Sequence, residues 1–394
     1  MRPDKDTIKQ LASELLPYIT GVRRHIHRFP ELSFEEFETA AYIKSLLHER
    51  GIPFTDGWVK TGIVATVAGS QPGPTRCFRA ELDALPIEEN NNLTYKSEEP
   101  GKMHACGHDV HAAALLGACI IAHSCKEHIS GTLLFIFQPG EEKLPGGASL
   151  MLAEKALGET LPTSIIAQHV FPELPAGHVG VNPGKYMASS DEIYIHIKGK
   201  GGHGALPHLC VDPIVVAAEI ITALQTLVAR QANPFLPTVL TMGKINSIGG
   251  ATNIIPEVVT IEGTFRTMDE AWRYEAHRQI EQKVLTIASA HGAKAEIEIK
   301  IGYPCLQNDE ELTSKVKTAM IDFLGADKVH DIPKRMTSED FAYFAQVIPA
   351  CFYRLGVAYD DGRTAHGVHS PYFEVNETAL ETATGLMAWL ALLP

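Results

Sequence analysis

At 394 residues the chain is long enough for two or more domains, on a scale of about 150 residues per domain, and for a large core. Hydrophobic residues make up 45% and charged residues 21%, the balance of a compact globular protein rather than of a disordered or fibrous one. Basic residues number 34 against 47 acidic, a net charge of −13 with no Lys or Arg cluster, which argues against a nucleic-acid partner.

The first six residues are polar and lack the apolar segment of a signal peptide. Apolar residues then recur at helical spacing over 5–28 (Ile8, Leu11, Leu15, Ile19, Val22, Ile26), and Pro30 ends the pattern. A second helix is expected over 34–50, stopped by Gly51. Apolar runs at 62–68 and 76–82 read as strands, followed by a helix over 111–123, a strand over 132–138 and another apolar run at 165–167. The uncharged stretch 112–122 is shorter than the roughly 20 residues a bilayer requires, so no membrane partner is expected. Alternating strands and helices point to an α/β fold with a mostly parallel sheet.

After Pro183 the pattern becomes strand 192–198, helix 212–230, strands 238–246 and 258–266, helix 269–291 and strand 295–301. This β-α-β-β-α-β order is a ferredoxin-like α+β unit, read as a domain inserted over 185–303. A strand over 350–356 and a helix over 377–393 return to the first domain, which is therefore discontinuous, 1–184 and 304–394. The seven Cys are odd in number and scattered, which fits a reducing compartment; a cytoplasmic location is expected.

Eighteen His direct attention to metal chemistry. Cys106 and His108 place a thiol and an imidazole two residues apart, both good ligands for zinc-like ions. Glu141 and Glu142 directly follow the strand 132–138, where open α/β sheets gather their ligands. Adjacent carboxylates in an extended segment point apart, so one can hold a metal while the other faces substrate. His169 follows an apolar run, and His369 lies in a loop before the last helix. Several such candidates at the loop edge of one sheet suggest convergence on a metal. By contrast, Gly199-Lys200-Gly201-Gly202-His203-Gly204 satisfies G-x-G-x-x-G, but Pro207 and Pro213 delay the helix that would receive a pyrophosphate.

Longer segments carry a resemblance: Arg24-His25-Ile26-His27-Arg28-Phe29-Pro30-Glu31-Leu32-Ser33-Phe34, Arg79-Ala80-Glu81-Leu82-Asp83-Ala84-Leu85-Pro86, Met103-His104-Ala105-Cys106-Gly107-His108-Asp109, Phe137-Gln138-Pro139-Gly140-Glu141-Glu142, Gly202-His203-Gly204-Ala205-Leu206-Pro207-His208 and Ser338-Glu339-Asp340-Phe341. With these the chain resembles the dinuclear-metal amidohydrolases of clan MH: hippurate hydrolases, auxin-conjugate amidohydrolases and bacterial N-acyl-amino-acid deacylases. The resemblance implies two divalent ions per subunit (Zn, Mn, Co or Ni), held by Cys106, His108, Glu142, His169 and His369. Cys106 would bridge, with His108 and His169 on one ion and Glu142 and His369 on the other. It implies Glu141 as the catalytic carboxylate and His203 as a catalytic group from an inserted lid and dimerisation domain, acting across a homodimer. Asn253 and Arg266 are candidates for holding a substrate carboxylate, and Asp83 for orienting a ligand from behind. Glu81, where relatives often have Asp, reads as structural. The expected reaction is hydrolysis of N-acyl amino acids to a carboxylic acid and a free amino acid; cleavage of dipeptides or C-terminal residues by the same machinery is the runner-up. Two other readings make Cys106 a thiol nucleophile indifferent to chelators, or the chain a binding module, which leaves Glu141 without a role.

Overall fold

The computed structural model describes residues 3–361 and 366–393 and divides into two compact units. One comprises Met1–Gly184, Gln307–Pro333 and Asp340–Pro394; the other comprises Lys185–Leu306 and Lys334–Glu339.

The first unit is built on an eight-stranded sheet, ordered Phe54–Trp58, Gly62–Ala68, Ser130–Gln138, Gln71–Glu81, Ser164–Pro175, Ala350–Ala358, Val179–Val181 and Val329–Asp331. Its four central strands, from Ser130–Gln138 to Ala350–Ala358, run parallel, and antiparallel strands extend it on both sides. Ala350–Ala358 and the second half of Ser130–Gln138 are buried, mostly apolar runs, as strands covered on both faces are. Helix His108–Ser124 packs against the sheet and against helices Lys5–Arg28 and Ala379–Ala391. It is buried on nearly every side, which explains the unbroken apolar run 112–122 within it.

The second unit has the order Asp191–Lys198, Pro213–Thr226, Thr238–Ile248, Val258–Thr267, Glu270–Ala290 and Lys294–Ile301. Its four strands form an antiparallel sheet in which Thr238–Ile248 and Lys294–Ile301 are the edges, the ferredoxin-like arrangement. Ile193, Ile195 and Ile197 alternate inward from the central strand against Ile220 and Leu224 of one helix and Ile280 and Val284 of the other. The segment Lys334–Glu339 belongs to this unit as well, where the sequence suggested a single return near residue 304. Backbone bonds explain it: Ala188 N donates to Arg335 O and Thr337 O, and Arg335 N donates to Tyr186 O. By length and composition, Pro213–Gln231 is apolar enough to cross a bilayer; a third of it is buried here, against the four-stranded sheet and the helix Glu270–Ala290.

Candidate metal centre

Strands Gln71–Glu81 and Ser130–Gln138 end level, with Glu81 opposite Gln138. Beyond Gln138 the chain turns through Pro139 and Gly140 into Glu141 and Glu142. Strand Ser164–Pro175 carries His169, and helix His108–Ser124 starts at His108, directly after Gly107 in the left-handed conformation (φ 81°). A Cβ on Gly107 would stand 2.6 Å from Val170 Cγ2, so the turn from Cys106 to His108 needs glycine for both conformation and space. The loop bearing His369 is pinned by His369 N donating to Ala105 O at 2.8 Å, and His369 itself has φ 66°. Four distant segments thus converge on one end of the sheet.

The ring nitrogens can be assigned from their partners. His108 Nδ1 lies 2.8 Å from the Asp83 carbonyl oxygen and 3.2 Å from its carboxylate, so it donates, leaving an unprotonated Nε2 in the neutral ring. That Nε2 is buried and has no hydrogen-bond partner. His169 Nδ1 donates to Val170 O (2.9 Å), and its Nε2 faces Cys106 Sγ at 3.4 Å. His369 Nε2 lies 3.1 Å from Glu142 Oε1, an oxygen that accepts no well-formed hydrogen bond. Donor atoms of Cys106, His108 and His169 lie within 4.8 Å of one another, as do those of Cys106, Glu142 and His369. Two ligands on a tetrahedral zinc-sized ion stand about 3.3–3.6 Å apart; Cys106 and His169 in one set, at 3.4 Å, match that separation, and Glu142 and His369 in the other, at 3.1 Å, come near it. A third grouping, Glu81 with His108 and His111, is spent: His111 Nδ1 donates to Glu81 Oε2 (2.8 Å) and its Nε2 accepts from Val170 N (2.9 Å).

The charges agree. Burial alone would favour a neutral His108, but the bond to Asp83 and the charges of Glu81, Asp83 and Glu142 outweigh it and push the ring up to about 10. The pocket therefore attracts cations, whether protons or metal ions. Burial first, then Glu142 and Glu141, hold the Cys106 thiol well above its usual value. A nucleophilic cysteine needs the opposite, a lowered thiol, which argues against the thiol-hydrolase reading. Burial, with Arg354 and His111, keeps His169 neutral, the form that binds metal.

The carboxylate loop is clamped from behind by groups of which the sequence marked only Asp83. Asp83 Oδ2 accepts from Glu142 N (2.9 Å) and Ser33 Oγ (2.6 Å). Fully buried Glu36 accepts from Gly140 N (2.9 Å), Phe34 N (2.8 Å) and Thr61 Oγ1 (2.7 Å). Gly140 has φ 63°, and a Cβ there would lie 2.2 Å from Phe34 Cε1. Glu141 is buried, its Oε1 accepting from Asp340 N at 3.3 Å, with Oε2 4.0 Å from His108 Nε2.

In the second unit, His203 lies opposite Ile254 in a short ladder, beside Asn253. Its Nδ1 accepts from Ala205 N (3.1 Å), so the neutral ring carries its proton on exposed Nε2. Arg266, on Val258–Thr267, is partly buried and donates to Met336 O at 3.2 Å.

The profile of peptidase family M20/M25/M40 matches residues 77–392. The chain belongs to this family. Among relatives of this M20 chain, an N-acetyl-L-cysteine deacetylase of Bacillus subtilis is 41% identical over 94% of this chain and 87% of its own length. An IAA-amino acid hydrolase of Arabidopsis thaliana is 36% identical over 99% of this chain and 88% of its own. A dinuclear metal binding peptidase of the M20 family from Bacillus subtilis superposes with a TM-score of 0.82 at 32% identity, covering 96% of this chain and 98% of its own.

Proposed function

We propose that this chain is a metal-dependent amidohydrolase that splits N-acyl amino acids into a carboxylic acid and a free amino acid. The observation that carries the reading is the pair of three-residue donor sets sharing Cys106, with Glu141 Oε2 4.0 Å from His108 Nε2 and Glu141 Oε1 accepting from Asp340 N. Names of relatives acting on N-acetyl and IAA-amino acid substrates support the substrate class.

In this reading Cys106, His108 and His169 would hold one divalent ion and Cys106, Glu142 and His369 a second. Such ions would supply a water of lowered pKa and a polarised amide carbonyl. Glu141, held by Asp340 N through Oε1, would take the water's proton and deliver it to the departing amine. Asp83 orients His108 and the Glu142 backbone together. The Nε2 proton of His203 suits an oxyanion, and the fork of Arg266, with Asn253, suits the carboxylate beside the scissile bond.

A homodimer through the inserted unit fits its surface: edge strand Thr238–Ile248 exposes Ile245 and Ile248, and the neighbouring helix exposes Ile214 and Val215. Pairing two such edges would cover both. All seven cysteines are free thiols, in keeping with the cytoplasm. Chelator-stripped protein should be inactive on a panel of N-acyl amino acids and dipeptides and regain turnover with Mn, Zn, Co or Ni. Full activity in chelator would refute the reading; faster cleavage of dipeptides would move the assignment to a dipeptidase.

A further inference from the structure

The parallel ladder between Gln71–Glu81 and Ser164–Pro175 stops at Arg79 opposite Ala167. Past that point the two strands are joined through a side chain. His111, one turn into helix His108–Ser124, donates from Nδ1 to Glu81 Oε2 at 2.8 Å and accepts Val170 N at 2.9 Å on Nε2. Val170 O in turn accepts from His169 Nδ1 at 2.9 Å, and the Val170 side chain lies against Gly107. Glu81 and His111 are completely buried, and Glu81 Oε1 is paired with the equally buried Arg79. Arg79 is itself held by Gln138 (2.9 Å) and Asp340 (2.6 Å).

We propose that Glu81 and His111 are positioning residues for His169, acting through the Val170 backbone; this rests on the reading of His169 as a metal ligand. The N–H and C=O of Val170 belong to successive peptide units, so the chain transmits position rather than resonance. The bond at Val170 N holds the peptide unit that joins it to His169, and so the backbone that carries the His169 ring, while Val170 O holds the His169 proton on Nδ1, aiming Nε2 at the metal. The carboxylate of Glu81 sets the direction of the whole chain. Because it accepts from His111 Nδ1, the opposite nitrogen of His111 must be the acceptor that Val170 N–H requires.

The substitutions separate this from a role in packing. Glu81→Gln is isosteric, but one amide cannot accept from both Arg79 and His111. If its NH2 faces His111, the ring must move its proton to Nε2 and repel Val170 N–H. His111→Leu removes both bonds, whereas His111→Gln supplies an amide donor and a carbonyl acceptor. Metal affinity by chelator competition, thermal unfolding of the metal-free proteins and kcat against KM at saturating metal would be measured for all three and for His169→Ala. Expected losses of affinity are about 10–100-fold for Glu81→Gln and His111→Leu, largely restored in His111→Gln, with His169→Ala at least as severe. Should His111→Leu not fold, Glu81→Gln carries the test. Lowered thermal stability with wild-type metal affinity in Glu81→Gln and His111→Leu, alongside a weakened His169→Ala, overturns the inference and leaves the proposed function standing. Wild-type affinity in His169→Ala overturns both.

Discussion

Loading metal into the buried donor set should release two protons per ion at neutral pH. Without a cation, His108 is held near 10, against the opposing effect of burial, by its bond to Asp83 and the surrounding carboxylates, and the Cys106 thiol is raised by burial and the two glutamates. At pH 7 both are protonated, while His169, lowered by burial, is already neutral. A metal requires neutral imidazole and thiolate, so occupation of Cys106, His108 and His169 displaces one proton from each of the first two. The logarithm of apparent affinity then rises by about two for each pH unit, roughly 100-fold, between about pH 6 and 9. Competition with a metal-sensitive chelator at several pH values gives the slope, and an indicator dye in weak buffer counts the protons directly. Cys106→Ser should cut the slope to about one. A wild-type slope near zero would refute the reasoning, since it requires a thiolate and a neutral His108 before metal arrives. The sign for the metal-free fold runs the other way. A His108 raised above its unfolded value stabilises the protein fully below about pH 6.5 and loses that contribution as pH climbs through about 10.

Replacing Glu141 with Gln should leave metal content and thermal stability close to wild type while lowering kcat about 10²-fold or more; depleted metal with normal turnover would mean that Glu141 and Glu142 have exchanged roles. Gly140→Ala forces a left-handed alanine and a 2.2 Å contact with Phe34. The expected cost is about 2–5 kcal/mol in unfolding measurements, with metal affinity falling as the Glu142 loop shifts; a change under about 0.5 kcal/mol would show the loop yields freely. Mixing inactive Glu141→Gln and His203→Ala proteins after reversible dissociation should restore activity if His203 acts in the partner subunit. Verified mixed dimers without recovery would exclude that arrangement.

The main strands were legible because their apolar patterns are long and regular, as in the alternation of Ile193, Ile195 and Ile197. Phe54–Trp58 and Val179–Val181 were not, being short, with exposed residues in the first and no alternation in the second. Helix His108–Ser124 starts three residues before the apolar run suggested. Gly107, in the left-handed conformation, is the residue from which the helix begins. The metal-ligand candidates stood out as residue types at strand ends and as motifs. The groups behind them did not, because Glu36, Glu81 and His111 gain their meaning from partners far along the chain, Glu36 from Gly140, Glu81 from His111 and His111 from Val170. Nothing local to Glu81 separates a surface acid from one wholly enclosed.

The two donor sets differ sharply in their access to water. His108 and His169 are enclosed, with 1% and 7% of their surface exposed, whereas half of the His369 side chain faces solvent. Ions held in the two positions would therefore exchange on different clocks, the outer leaving first and the inner retained behind the shared thiol. A preparation stripped briefly and refilled with a second element would become a mixed-metal enzyme of defined order, each ion reporting separately on its own half of the reaction.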